Sequence, residues 1–263
     1  MSINASIRVE FDAGLATVNL AQPERGNPFD GDFTRDFRQV VSDLWDRQDL
    51  RAVLLRADGE NFSVGGDLKA LQPAGAQLPA LVRRWTADLH MGLQRFWALP
   101  VPVVCAVQGF AMGGGVALLA GCDVVIAAES AKFGSAFARI GFSCDSGSSA
   151  VLTARMGMAR ARRFVLLGEM LDAAEAASAG LIDSRVAADA VQREAAALAR
   201  RLAQGPTLAY GGIKKLFLRA GECQLQALLE EEALTLAQIA ASADAQEGLA
   251  AMALRRPACF LGR

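Results

Sequence analysis

Two glycine-rich loops and one aspartate carry the residues of this chain that could do chemistry. The loops are SVGGD (63–67) and MGGG (112–115), and each lies between an expected strand and an expected helix. Glycine lets a backbone approach a ligand closely, and a helix start presents unpaired N–H groups. Two such donors could hold a carbonyl oxygen that becomes negative, as in an oxyanion hole. The alternative is that these glycines only permit tight turns and close packing.

Proton-moving groups are scarce near these loops. Asp145, in GFSCDSGSS, could move a proton or attack an electrophile, and it could equally cap a helix that begins near Gly147. His90 is the single histidine, and it lies in the predicted helix WTADLHMGLQRF, where it could act as a base or simply pack. Cys144 has no histidine near it in sequence and is not expected to be a nucleophile. The chemistry therefore depends on Asp145.

Alternating strands and helices must position these groups. Strands 6–11 and 15–20 are expected to form a hairpin, and the remaining expected strands are 52–57, 101–107, 123–128 and 184–186. The expected helices are 30–47, 79–98, 148–168, 172–179, 189–204, 206–220, 222–240 and 243–254. This order predicts an α/β core over 1–204 and a helical C-terminal region over 205–263, joined at Gly205-Pro206.

Composition excludes several classes of function. The net charge is −1 and no basic stripe occurs, so we expect no nucleic-acid partner. One histidine, five widely spaced cysteines and no CxxC motif argue against a metal site and favour a reducing compartment. No apolar run approaches the roughly 18 residues of a membrane span, and the first residues lack the apolar segment of a signal peptide. We therefore expect a cytoplasmic protein.

Four segments together resemble the crotonase (enoyl-CoA hydratase/isomerase) superfamily. They are PERGNPF, NFSVGGDLKAL, VPVVCAVQGFAMGGGVALLAGCDVVIAAESAKFG and SADAQEGLAAMALRRPACFLGR, and they cover nearly the whole chain. The resemblance implies a crotonase-like spiral of ββα units with a helical C-terminal trimerisation region. It also implies a homotrimer or dimer of trimers. The substrate would be an acyl-CoA thioester, with coenzyme A as part of the substrate and no separate cofactor.

The resemblance also implies a role for particular residues. The thioester carbonyl would lie between the N–H groups of Val64 and Gly114. Asp67 could both contact coenzyme A and cap the following helix. The implied coenzyme A site, with Lys69 near the phosphates, comprises Arg25, Gly26, Val64, Gly66, Asp67, Leu68 and Lys69.

The chain departs from the hydratases of this family at both of their glutamates, whose places are taken by Ala117 and Phe137. Classical hydration is therefore disfavoured. Asp145 resembles the aspartate of isomerase-like members, which favours double-bond or ring isomerisation through an enolate. Asp145 also resembles the aspartate of the 4-chlorobenzoyl-CoA dehalogenases. In this alternative, Asp145 would attack the substrate and His90 would activate water, which gives dehalogenation or thioester hydrolysis. The third possibility is a non-catalytic acyl-CoA-binding subunit.

Overall fold

The structure is a computed structural model that describes residues 2–3, 6–221 and 223–263. Its strands are β1 (Ser2–Ile3), β2 (Ile7–Asp12), β3 (Leu15–Leu20), β4 (Pro28–Phe29), β5 (Ala52–Ala57), β6 (Gly65–Gly66), β7 (Val103–Val107), β8 (Phe110–Met112), β9 (Val124–Ala128), β10 (Lys132–Gly134), β11 (Met170–Asp172) and β12 (Ser184–Val186). Its α-helices are α1 (Gly31–Trp45), α2 (Leu68–Leu71), α3 (Leu78–Trp97), α4 (Gly114–Ala120), α5 (Ser148–Met156), α6 (Met158–Leu167), α7 (Ala173–Ser178), α8 (Val191–Ala203), α9 (Thr207–Ala220), α10 (Leu225–Ala240) and α11 (Ala243–Ala253).

A seven-stranded sheet forms the centre of the core, in the order β1-β2-β3-β5-β7-β9-β12. The first three strands are antiparallel and the rest run parallel to β3. Every residue of β7 is buried, as expected for a parallel strand that is covered on both faces. Helix α8 packs against β5 and β7. The predicted α/β class is therefore confirmed.

Two small sheets bring the glycine loops together. In one, β4 pairs in parallel with β6, so that Phe29 lies opposite Gly66. In the other, β8 pairs in parallel with β10, and an isolated bridge joins Ser63 to Ala111. The backbone of 63–66 therefore lies directly against the backbone that leads into α4.

Most predicted elements are present, with differences at glycines. The hairpin of β2 and β3 turns at Ala13 and Gly14, both in the left-handed region (φ 46° and 84°). The single helix predicted over 148–168 is two helices, because Gly157 takes non-helical angles (φ 74°, ψ 154°). The helix predicted over 222–240 begins at Leu225 in the structure, and residue 222 lies outside the described residues.

The C-terminal helices follow α8, and the chain end is tied back to the core. Arg51 donates to the carbonyl oxygens of Gly205 (2.7 Å) and Phe260 (3.3 Å). Buried Asp244 accepts from the N–H groups of Leu261 and Gly262. The division predicted between 204 and 205 falls in the turn between α8 and α9 and stays a prediction. Over the described residues, no helix is both long enough and apolar enough to cross a membrane.

Candidate active site

A cavity of about 450 Å³ lies between α3, the 63–68 segment and the 136–146 loop. Its walls are mostly apolar, and they include Phe29, Leu71, Val82, Trp85, Leu89 and Phe137. The two threonines in the wall offer the cavity no free hydroxyl proton: Thr34 donates to the carbonyl oxygen of Gly31 (3.2 Å) and Thr86 to that of Val82 (2.8 Å). Among the described residues, Asp145 is the only acidic side chain in the lining.

The carboxyl of Asp145 does not cap α5. The N-cap is Gly147, which has no side-chain cap, and Asp145 serves the helix only through its carbonyl oxygen, which accepts from the N–H (2.9 Å) and hydroxyl (2.7 Å) of Ser148. One carboxylate oxygen accepts from the hydroxyl of Ser146 at 3.0 Å. Burial raises the pKa of Asp145, although the Ser146 hydrogen bond and His90 act in the opposite direction. The structure therefore leaves this carboxyl available to a bound molecule.

The turn after Asp145 is unusual because two consecutive residues are left-handed, Ser146 (φ 55°) and Gly147 (φ 69°). A side chain other than glycine pays about 1–2 kcal/mol in this region. Gly147 is also required sterically, because a β-carbon there would lie 2.8 Å from the indole ring of Trp97. This turn directs the Asp145 carboxyl into the cavity.

His90 lies beside this turn but outside the cavity wall. Its Nε2 accepts a hydrogen bond from the N–H of Ser146 at 3.2 Å. The side chain is exposed, and the described residues that line the cavity do not include it. The predicted role of His90 as a base for water therefore meets an obstacle, since its Nε2 lone pair is already used by the protein.

The first predicted oxyanion donor needs correction. The N–H of Val64 is not free, because it donates to the carbonyl oxygen of Gly26 at 2.9 Å. Three residues on, the N–H of Asp67 donates to the carbonyl oxygen of Phe29 across the β4–β6 pair. Successive N–H groups of a strand point to opposite sides, so the Gly66 N–H points away from β4, and Gly66 lines the cavity. Gly66 therefore replaces Val64 as the available donor.

The second predicted donor, Gly114, is placed as expected. It is the first residue of α4 and it lines the cavity. We find no acceptor for its N–H among the described residues. A β-carbon at Gly114 would lie 3.1 Å from the hydroxyl of Ser146, so this helix start adjoins the Asp145 turn. A β-carbon at Gly65 would lie 2.6 Å from the carbonyl oxygen of Met112, so the two glycine loops are in contact.

The residues implied in coenzyme A binding lie next to one another, and all but Gly26 are at least partly exposed. Arg25 makes ion pairs with Asp30 (2.8 Å) and Asp67, and Asp67 also caps α2 by accepting from Lys69 N (3.0 Å) and Ala70 N (3.2 Å). The capping role predicted for Asp67 is thus confirmed. Leu68 is half exposed at the cavity, and the Lys69 side chain is exposed.

Gly26 is buried beneath Val64, because a β-carbon there would lie 2.8 Å from the Val64 side chain. Their contact with coenzyme A stays a prediction. Over the described residues, no cluster of three potential metal ligands occurs.

The two positions that carry glutamates in the hydratases have different surroundings in this structure. Phe137 lines the cavity and its ring faces Gly113. Ala117 is fully buried in α4 and is not part of the lining. Sequence reasoning missed Ser146, Trp97 and the Gly66 donor. The Gly66 donor depends on the pairing of β6 with β4, for which the sequence gives no signal.

Comparisons with known proteins identify the family and the fold. The family model described as "Enoyl-CoA hydratase/isomerase" matches residues 10–263. A probable enoyl-CoA hydratase of Rhodobacter capsulatus is 36% identical over 258 residues, 98% of each chain. The 1,2-epoxyphenylacetyl-CoA isomerase of Escherichia coli is 35% identical over 266 residues, 96% of this chain and 97% of that protein. An enoyl-CoA hydratase structure from Polaromonas sp. JS666 has a TM-score of 0.91 at 25% identity, over 97% and 99% of the two chains. The predicted fold is thereby confirmed.

Proposed function

Because the chain belongs to the enoyl-CoA hydratase/isomerase family, we propose that it isomerises an acyl-CoA thioester, moving a double bond or rearranging a ring through an enolate. One observation carries the proposal: among the described residues, Asp145 is the only acidic side chain in a mostly apolar cavity, and two unused N–H groups lie beside it. A single carboxyl can remove a proton and return it, whereas the two glutamates of the hydratases have no counterpart at Ala117 or Phe137.

The mechanism follows from these groups. The thioester oxygen binds to the N–H groups of Gly66 and Gly114. Asp145 takes a proton from carbon 2 of a 3-enoyl thioester, and the electron pair of that C–H bond moves to the carbonyl oxygen. The two N–H donors stabilise the resulting enolate. Asp145 returns the same proton to carbon 4, which yields the 2-enoyl thioester without water or any other reactant.

The burial of Asp145 suits this shuttle. Burial raises the pKa of its carboxyl, which makes the carboxylate a better base in the first step. The protonated form holds the proton until it returns to the substrate, because the apolar wall excludes water from it. The Escherichia coli relative has an isomerase name, which also supports this direction.

The covalent alternative is less well supported. It needs Asp145 as the nucleophile and His90 as the base that activates water. The Nε2 of His90 is held by Ser146, and the imidazole is outside the cavity lining. A trapped adduct on Asp145, detected by mass spectrometry after mixing with 4-chlorobenzoyl-CoA, would favour this alternative over isomerisation.

The decisive experiment compares the protein with its Asp145→Asn variant on 3-enoyl, aryl and epoxy-ring CoA thioesters. We expect conversion of a 3-enoyl or ring substrate by the unchanged protein, little hydration of crotonyl-CoA, and a loss of about 10²–10⁴-fold in kcat for the variant. Binding of coenzyme A, measured by calorimetry, should be unchanged. Equal turnover by the variant would refute the role of Asp145. Binding of the whole panel with no turnover would identify a non-catalytic acyl-CoA-binding protein.

We also propose that the protein assembles as a homotrimer or a dimer of trimers. The C-terminal helices carry large apolar side chains that are mostly exposed, among them Phe217 (79%), Leu225 (70%), Leu236 (70%) and Met252 (81%). Apolar surface of this extent is typical of a protein–protein interface. Light scattering coupled to gel filtration tests this, since a monomeric mass at micromolar concentration would contradict it.

A further inference from the structure

We propose that His90 is a positioning residue for Asp145: its Nε2 holds the Ser146 N–H and so fixes the left-handed turn that aims the carboxyl into the cavity. This inference rests on the proposed function of Asp145, and it assigns His90 a role other than that of a base. The imidazole acts through the backbone of the neighbouring residue and does not touch the substrate.

The first support is the hydrogen-bond chain between the two side chains. His90 Nε2 accepts from Ser146 N–H at 3.2 Å, and the Ser146 hydroxyl donates to an Asp145 carboxylate oxygen at 3.0 Å. An imidazole nitrogen that accepts a hydrogen bond carries no proton. An imidazole that accepts this hydrogen bond at Nε2 carries its proton on Nδ1, and the Nε2 lone pair is then occupied by the backbone.

The second support is the backbone conformation that His90 stabilises. Ser146 is not glycine, yet its φ is 55°. Such a conformation persists only when the surrounding structure holds it in place. The Ser146 residue is almost fully buried (1% exposed), so without His90 its N–H would be a buried donor without an acceptor. The conformation of the turn is therefore stabilised by contacts with other residues and not by the intrinsic preference of Ser146.

The third support comes from the same face of α3. Trp97 follows His90 by seven residues, which is about two helical turns, so the two side chains share one face. The indole ring of Trp97 packs against Gly147 so closely that a β-carbon at Gly147 would lie only 2.8 Å from it. Helix α3 thus holds Ser146 with a hydrogen bond and Gly147 by packing. Both residues of the left-handed pair are fixed by one rigid element.

The location of His90 agrees with positioning rather than with catalysis. It is exposed, and the described cavity lining includes its neighbour on α3, Leu89, but not His90 itself. Asp145 lines the cavity and can reach a substrate there, whereas the hydrogen bond of His90 is to the Ser146 N–H of the turn.

Two variants separate the acceptor from the imidazole. His90→Leu removes the acceptor, whereas His90→Gln replaces it with an amide oxygen at the end of a side chain of similar reach. We expect Leu to lower kcat about tenfold or more, as for a buried N–H that loses its acceptor, with little change in KM, and Gln to restore most of that loss. Gln94→Leu is the matched control, because it lies one turn further on α3 and its exposed side chain has no hydrogen bond among the described residues.

A spectroscopic measurement tests the geometry without any substrate. The chain has one histidine, so labelling with ¹⁵N-histidine gives signals from His90 alone. We expect the neutral Nδ1–H tautomer at pH 7.5. Amide hydrogen exchange at 146–147 should be faster in His90→Leu than in His90→Gln or the unchanged protein. An Nε2–H tautomer or an imidazolium would overturn the proposal.

Kinetic outcomes can overturn it as well. Equal losses in the Gln and Leu variants would mean that the imidazole itself is needed, as for a base. Full activity in the Leu variant would mean that the hydrogen bond is dispensable. If the unchanged protein turns over none of the CoA thioesters, the proposed function fails, and the tautomer and the exchange rates still decide the role of His90.

Discussion

The assignment of Gly66 as an oxyanion donor can be tested by removing its N–H alone. Proline at 66 has no N–H, and the Gly66 N–H takes no part in the β4–β6 hydrogen bonds, so the pairing of Asp67 with Phe29 is retained. Gly66→Ala is the matched control. A β-carbon at Gly66 has no atom within 4 Å, and its φ is not in the left-handed region, so alanine keeps the N–H without a clash.

The expected magnitude follows from the chemistry of the donor. Loss of one oxyanion donor costs about 2.7–4 kcal/mol of transition-state stabilisation, or roughly 10²–10³-fold in kcat. Gly66→Ala should retain kcat and should melt at the same temperature or slightly higher, because alanine restricts the unfolded chain. The assay is the rate of 3-enoyl-CoA isomerisation at saturating substrate.

Thermal melting and coenzyme A binding show whether the proline variant is folded. A folded Gly66→Pro variant with a kcat close to that of Gly66→Ala would refute the assignment. Val64→Pro is the complementary test, because the Val64 N–H has a structural role whereas the Gly66 N–H is assigned to catalysis. It breaks the hydrogen bond from Val64 to Gly26, so it should lower the melting temperature, whether or not catalysis is affected.

Three further predictions concern stability and the support of the turn. Burial raises the pKa of Asp145, so the folded protein binds this proton more tightly than the unfolded chain does. The stability of the protein therefore falls as the pH rises through that pKa. Asp145→Asn should raise the melting temperature at pH 8, and the increase should be smaller at acidic pH. Gly109→Ala should cost more than about 3 kcal/mol in urea unfolding, because a β-carbon at this left-handed residue overlaps a backbone carbonyl oxygen, whereas Gly141→Ala, left-handed in open space, should cost about 1–2 kcal/mol. Gly121→Ala places a β-carbon on the indole of Trp97 and should lower kcat while coenzyme A binding is retained.

The sequence predicts the larger elements of this fold well. The strands at 15–20 and 52–57 are found at the predicted residues, because mostly apolar runs bounded by turns define them. The short strand at 184–186 is also found, although only Val186 of its three residues is apolar. Helix 148–168 was predicted as one element, since Gly157 alone does not stop a helical pattern. In the structure Gly157 takes non-helical angles, and it is both the C-cap of α5 and the N-cap of α6.

The candidate site is harder to predict from the sequence than the larger elements are. Strand β6 has only two residues, so no periodicity shows that it pairs with β4. That pairing decides which N–H of the segment faces the cavity, and the prediction of Val64 was wrong for this reason. Likewise, Asp145 is followed by SGSS, which is an ordinary capping sequence. Only the left-handed angles of Ser146 and Gly147 show that the carboxyl turns away from the helix.

Helix α3 contributes both to the cavity wall and to the support of Asp145, so a change in one affects the other. One stripe of the helix supplies Val82, Trp85 and Leu89 to the cavity wall, and the adjacent stripe carries His90 and Trp97 against the turn that follows Asp145. A substitution that enlarges the wall and shifts this helix by a fraction of an ångström also shifts the carboxyl. New specificity should therefore arise more readily from Leu68 and Leu71 of α2, which line the cavity from a different element. Laboratory evolution that randomises α3 should yield many slow variants and few that accept new substrates at full rate.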